Sequence, residues 1–136
     1  MTVHLFSPAS MVGPTPYHHV AIGTGTRQVH VAGQVAAGLD GRPVDPDDLA
    51  GQVAQALVST ASGLEAAGAT FQDVVRLTFY VARWTPDKMG EFLAGIETVA
   101  ARLQIPQPMP PSSLIGVESL FEPHVLVEVE ATAVLD

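Results

Sequence analysis

The chain predicts an α+β fold, a mixed sheet with two helices on one face, and three observations carry that prediction. Two stretches of helical periodicity, near 45–68 and 85–103, each open on an acidic or hydroxyl residue followed by proline. A strong alternating strand, Asp73 to Ala82, lies between them. A second alternating strand closes the chain from Val125 to Val134. With the earlier strands the order reads β-β-β-α-β-α-β-β, a two-layer sandwich in a single domain spanning residues 1–136.

Each element has a local reason. Thr2 to Phe6 alternates weakly and reads as a short edge strand. Ser7 to Pro16 holds three prolines and a glycine and reads as a loop. Tyr17 to Gly23 and Gln28 to Gln34 place Val20, Ile22, Val29 and Val31 at period two around Thr24-Gly25-Thr26-Arg27, which predicts a β-hairpin. Residues 35–44 read as a second loop, with Gly38, Asp40-Gly41 and Pro43 as turn chemistry.

The first helix is predicted with Asp45 as cap, Pro46 at the first helical position, and Asp47 and Asp48 favouring the positive end of the dipole. Its apolar face is Leu49, Val53, Leu57 and Leu64, with Ala56, Ala61 and Ala67 between and Gly68 as the stop. On the following strand Val75, Leu77, Phe79 and Val81 point one way, Arg76, Thr78 and Tyr80 the other. Thr85-Pro86-Asp87 opens the second helix, whose stripe is Met89, Phe92, Leu93, Ile96, Val99 and Leu103. Pro106, Pro108, Pro110 and Pro111 enforce extended backbone before a short strand, Ser112 to Val117. The last strand buries Val125, Val127, Val129, Ala131 and Ala133 and turns Leu126, Glu128, Glu130 and Thr132 away. One sheet face therefore lies under helices, and the other carries Tyr80, Glu128 and Glu130.

Composition narrows the function. No cysteine is present, which excludes a disulfide scaffold, a thiolate metal site and a cysteine nucleophile. Six Lys+Arg against 14 Asp+Glu leave a net charge of −8, and the cations are scattered, so no basic stripe for nucleic acid exists. No apolar run approaches the ~18 residues of a membrane span, and no basic segment leads into an apolar run at the N-terminus, so a cytoplasmic protein is expected. Only 15% of residues are charged, against about 25% in an average globular protein, which points to surface hidden in an oligomer.

Five stretches in register resemble the RidA (YjgF/YER057c/UK114-type) family, also called the endoribonuclease L-PSP family. They are Pro16-Tyr17, Val29-His30-Val31-Ala32-Gly33-Gln34, Leu64-Glu65-Ala66-Ala67-Gly68-Ala69, Asp73-Val74-Val75-Arg76 and Val127-Glu128-Val129-Glu130-Ala131-Thr132-Ala133. The resemblance implies a chorismate-mutase-like subunit and a homotrimer with ligand clefts between subunits. It also implies hydrolysis of enamines and imines derived from amino acids, without a cofactor. By the same resemblance Tyr17 matches a cleft tyrosine, Gly33 a glycine whose backbone contacts the ligand, and Glu128 the glutamate that holds the attacking water. Two departures follow. Ser112, in Pro110-Pro111-Ser112-Ser113, stands where the family clamps a substrate carboxylate with arginine, and a hydroxyl lacks that charge and fork geometry. The family's helix asparagine has no counterpart either, because the chain contains no Asn.

Imine hydrolysis needs a positioned water, a proton acceptor and donor, and a dry pocket. Glu128 and Tyr17 are the catalytic candidates, and Gly33, Ser112 and Ser113 the substrate-binding ones. No serine has a base partner or a nucleophile elbow. His18 and His19 are adjacent on a predicted strand and point to opposite faces, while His4, His30 and His124 lack ligand spacing, so no metal is expected. Three functions compete. The first is a hydrolase of imine or enamine intermediates with a preference other than 2-aminoacrylate. The second is a trimer that binds a small metabolite or a partner without chemistry. The third is a ribonuclease, which the charge disfavours.

Overall fold

The computed structural model describes residues 2–36 and 45–136. Its elements are β1 (Val3–Phe6), β2 (Val20–Gly23), β3 (Arg27–Gln34), α1 (Leu49–Ala66), β4 (Val74–Ala82), α2 (Met89–Leu103), β5 (Ser112–Val117) and β6 (Val127–Leu135). The order is the one the sequence predicts. A mixed four-stranded sheet runs β3-β6-β4-β5, with β4 and β5 parallel and the other neighbours antiparallel. Parallel neighbours need a long crossover, and α2 supplies it.

The core lies between this sheet and the helices. Every second residue of β6 is buried, Val127, Val129, Ala131, Ala133 and Leu135. Leu57, Leu64 and Val53 of α1 meet them, together with Phe79 of β4. Phe92 of α2 packs edge-on against Phe79 at 5.0 Å and against Trp84 at 6.1 Å.

Several expectations are corrected. The predicted hairpin does not form: β2 pairs antiparallel with β1, from Val3↔Gly23 to Phe6↔Val20, and β3 pairs with β6. Strand partners are chosen by burial, and the Val/Ala stripe of β6 gives Val29 and Val31 a longer apolar mate than β2 offers. The second strand starts at Val20, so Tyr17 to His19 precede it and His18 and His19 are not strand neighbours. The first helix is capped by Asp48, whose carboxylate accepts from the Gly51 N–H at 2.8 Å, not by Asp45. Asp45 instead accepts from the Asp47 N–H at 2.8 Å in a turn holding Pro46. Thr85-Pro86-Asp87 opens a 3₁₀ turn, Pro86–Lys88, before α2 begins at an exposed Met89. Thr85 donates to the Asp87 carboxylate and holds its pKa below the ordinary range, a contribution present at neutral pH and lost on acidification.

On β4 the register slips at Val75, since Val74 pairs with Ala133 and Arg76 with Thr132. This bulge gives Val74 the fully buried place and moves Val75 off the core face. Leu126 is buried rather than turned away, and strand pairing begins at Val127. Ala67 is exposed, and Gly68 takes the left-handed turn (φ 83°) that ends α1. Of the predicted loop at 35–44, residues 37–44 with Gly38, Asp40-Gly41 and Pro43 lie outside the described residues.

The helices meet at Gly95. A Cβ there would sit 2.5 Å from the Ala50 carbonyl oxygen and 2.8 Å from Val53 Cβ of α1. Gly95→Ala gains about 1 kcal/mol of helix propensity but forces two backbones apart, an overpacking cost of about 1–3 kcal/mol. A net destabilisation of up to about 2 kcal/mol is expected in urea unfolding, and a raised midpoint would show that the helices separate freely.

Candidate functional site

Alternation on the four strands collects the polar side chains on the sheet face away from the helices. Tyr80 donates its hydroxyl to Glu130 Oε1 at 2.8 Å, across β4 and β6. An Arg76 guanidinium N–H donates to Ser113 Oγ, across β4 and β5. The Thr132 hydroxyl lies 3.4 Å from His30 Nδ1, across β6 and β3. These bonds place all six residues on one face.

Glu128 is half-buried and paired in register with Tyr80. Beside it β3 carries its own irregularity: Val31 pairs with Ala131 and Gln34 with Val129, so three steps on β3 face two on β6. Gly33 falls inside that bulge. A Cβ on Gly33 would lie 1.8 Å from Glu128 Oε1 and 2.6 Å from Cδ, so the carboxylate occupies the space a side chain would need. The structure thus brings together two of the sequence-predicted site residues, from elements about 100 positions apart in the chain.

The others are distributed. Tyr17 forms a parallel bridge with Met109, with the His18 N–H donating to the Met109 carbonyl at 2.6 Å and the Met109 N–H to the Pro16 carbonyl at 2.8 Å. Its ring stands edge-on to His19 at 5.3 Å. It lines a cavity of about 560 Å³ with Ser7, Met11, Val12, His18 and Pro108, a cavity that Glu128 does not line. Ser112 donates its hydroxyl to the Pro110 carbonyl at 2.7 Å and is cross-strand from Leu77. Ser113 is cross-strand from Thr78 and joins the polar face through Arg76.

The two carboxylates act on Tyr80. The hydrogen bond to Glu130 raises the Tyr80 pKa, and burial and the charges of Glu130 and Glu128 push the same way, while Arg76 opposes them. The fold favours the protonated phenol, so this contribution is present through neutral pH and is lost only as pH rises beyond the ordinary tyrosine range. The Tyr80–Glu130 bond was not read from the sequence; the signal available was that both residues alternate onto the same face. Among the described residues, no group of three His, Asp or Glu is arranged to hold a metal ion, and no helix is long and apolar enough to cross a membrane.

The fold and this face together define a two-layer α+β domain, chorismate-mutase-like, with a glutamate lodged against a glycine bulge on an open sheet face. The chain belongs to the endoribonuclease L-PSP family, whose model matches residues 9–135. The structure is similar to YyfB of Yersinia pestis, a protein of the conserved Rid family, at 35% identity over 99% of this chain and 100% of that one, with a TM-score of 0.86. It is also similar to Rv2704 of Mycobacterium tuberculosis, of the YjgF/YER057c/UK114 family, at 29% identity over 98% and 99% (TM-score 0.62). The YjgF gene product of E. coli matches at 26% identity over 96% and 94% (TM-score 0.69). No curated protein matches the sequence.

Proposed function

We propose that the protein is a small-molecule hydrolase of reactive enamine and imine intermediates, with a substrate preference other than 2-aminoacrylate. The observation that carries this reading is the Glu128 carboxylate seated over Gly33, half-buried beside a strand bulge. In the reaction Glu128 accepts a proton from water as the oxygen bonds to the imine carbon. The same proton is then delivered to nitrogen to give a carbinolamine; Glu128 next takes the carbinolamine's hydroxyl proton and passes it to nitrogen as the C–N bond breaks and the C=O bond forms, and a carbonyl product and ammonia leave. Tyr17 forms a wall of the pocket. Because Tyr17 lines a cavity that Glu128 does not, the reading includes a homotrimer in which one copy's Tyr17 faces another's Glu128.

Ser112 supports the altered preference, since its hydroxyl is spent on Pro110 and supplies no cation for a substrate carboxylate. The test is ammonia release from imines made in situ by amino-acid oxidases, and from their uncharged counterparts made by amine oxidases. Wild type is expected to favour the uncharged imines. Glu128→Gln should lose roughly 10²–10⁴-fold, and Ser112→Arg should gain on the carboxylated ones. Equal rates for wild type and Glu128→Gln would overturn the assignment. A non-catalytic small-metabolite binder is the second reading, favoured by Ser112 and by the absence of Asn from the chain. Silence of all three proteins with ligand-dependent gains in melting temperature would establish it. A ribonuclease is disfavoured by the net charge of −8.

A further inference from the structure

We propose that the cavity around Tyr17 is a pocket for an uncharged hydrocarbon substituent on the substrate, and that His19 positions its wall. The class this selects is an imine or enamine carrying an aliphatic or aromatic group where amino-acid derivatives carry a carboxylate. The identity of the substrate rests on the hydrolase reading, whereas the pocket rests on geometry alone.

The cavity measures about 560 Å³, and Met11, Val12, Pro14, Tyr17 and Pro108 form its apolar walls. Among the described residues, no Asp, Glu, Lys or Arg lines it. Its hydroxyls are already engaged: Thr15 donates to the Tyr17 carbonyl at 2.7 Å, and the Ser7 oxygen accepts from the His19 N–H at 3.0 Å. A carboxylate placed here would give up its hydration without meeting a cation, whereas a hydrocarbon gains by leaving water. In a single subunit Met11 is 46% exposed and Val12 81%, so two apolar side chains of this wall stand uncovered. In the trimer that the hydrolase reading includes, a neighbouring copy closes the cleft, and the substituent lies between that copy and this wall.

The wall is a loop whose shape His19 fixes at three points. At its start the His19 N–H donates to Ser7 Oγ, and at its middle the ring Nε2–H donates to the Val12 carbonyl. A carbonyl can only accept, so the ring nitrogen carries the proton in that bond. At the end of the loop the same ring stands edge-on to Tyr17 at 5.3 Å. Between these ties the Met11 N–H donates to the Pro8 carbonyl at 3.1 Å and closes a turn. His19 does not itself line the cavity, so it acts on the substrate through Val12 and Tyr17.

The probes are ketones, which resemble the carbonyl product and undergo no turnover, titrated into full-length protein labelled with ¹³C-methyl methionine. The chain has four methionines, and Met11→Leu assigns the signal of interest. A saturating Met11 shift is expected with 2-hexanone. The shorter 2-butanone lacks two methylenes and should bind roughly ten-fold more weakly. The keto acid 4-oxopentanoate, of similar length with a terminal carboxylate, should bind more weakly still. Val12→Lys should reverse that order and favour the keto acid. His19→Phe, which keeps a ring beside Tyr17 and loses the tie to Val12, should weaken 2-hexanone about five-fold. His19→Gln, which can donate to the same carbonyl, should recover most of that loss. Melting curves and light scattering confirm the fold and assembly of each variant. If 2-hexanone saturates Met11 while no imine is hydrolysed, the pocket stands and the hydrolase reading falls. A Met11 signal that 2-hexanone leaves unmoved, because a second copy fills the space, overturns the pocket whether or not imines are hydrolysed. Equal affinity for ketone and keto acid does the same, and unchanged binding in His19→Phe overturns the positioning role.

Discussion

Gln52→Leu is expected to destabilise the fold by about 2–4 kcal/mol, although it replaces a polar residue with an apolar one of similar size in a helix. Gln52 is only 2% exposed. Its amide nitrogen donates to the Asp45 carbonyl at 2.8 Å and to the His124 carbonyl at 3.0 Å, and its oxygen accepts from the buried Leu126 N–H at 2.8 Å. One side chain on α1 thus ties down both the approach to that helix and the approach to β6. Leucine leaves a buried donor without a partner, worth about 1–3 kcal/mol, and abandons two more bonds. Glutamate keeps the acceptor and loses the donors, so Gln52→Glu should fall between. Urea unfolding at matched protein concentration measures both. A loss below about 1 kcal/mol for leucine would mean that water replaces the amide.

Gly33→Ala is expected to remove activity on the order of 10²-fold while leaving the fold intact. The added methyl collides with Oε1, Cδ and Cγ of Glu128, at 1.8, 2.6 and 2.8 Å. All three atoms belong to a rotatable side chain, and Gly33 does not adopt a left-handed conformation, so the backbone tolerates alanine. The carboxylate is what moves. Stability should change by less than about 1 kcal/mol. The loss should not add to that of Glu128→Gln, because both substitutions remove the same positioned group. Ammonia release on the imine that wild type prefers, measured for both single variants and the double, checks this. Full activity in Gly33→Ala would show that Glu128 works from another rotamer.

Local chemistry made the order of elements readable. The acid and proline signals near Asp45 and Thr85 mark where helices begin, yet each misses the true start by a few residues, because a turn and a 3₁₀ segment use the same residues first. The alternation of Val127 to Leu135 announces a strand half covered by helices. The candidate site was less readable. Glu128, Gly33 and Tyr17 emerge only through the family resemblance, since a glutamate facing away on a strand also describes an ordinary solvated residue. Arg76, Tyr80 and Glu130 share a face by alternation, but which of them bond is decided by side-chain reach across strands.

By itself the sequence determined the fold class, the element order, the core stripes of both helices apart from Ala67 and Met89, the buried alternation of β6, and the net negative charge that disfavours nucleic acid. These follow from interactions over three or four residues and from composition. Only the tertiary structure decided that β3 pairs with β6, that Val74 rather than Val75 is buried, that Gln52 is a buried tie, and that Glu128 lies over Gly33. Strand partners, bulges and buried polar bonds join residues far apart in the chain. Their energies are set by which apolar surfaces can be covered together, and no local pattern records that choice.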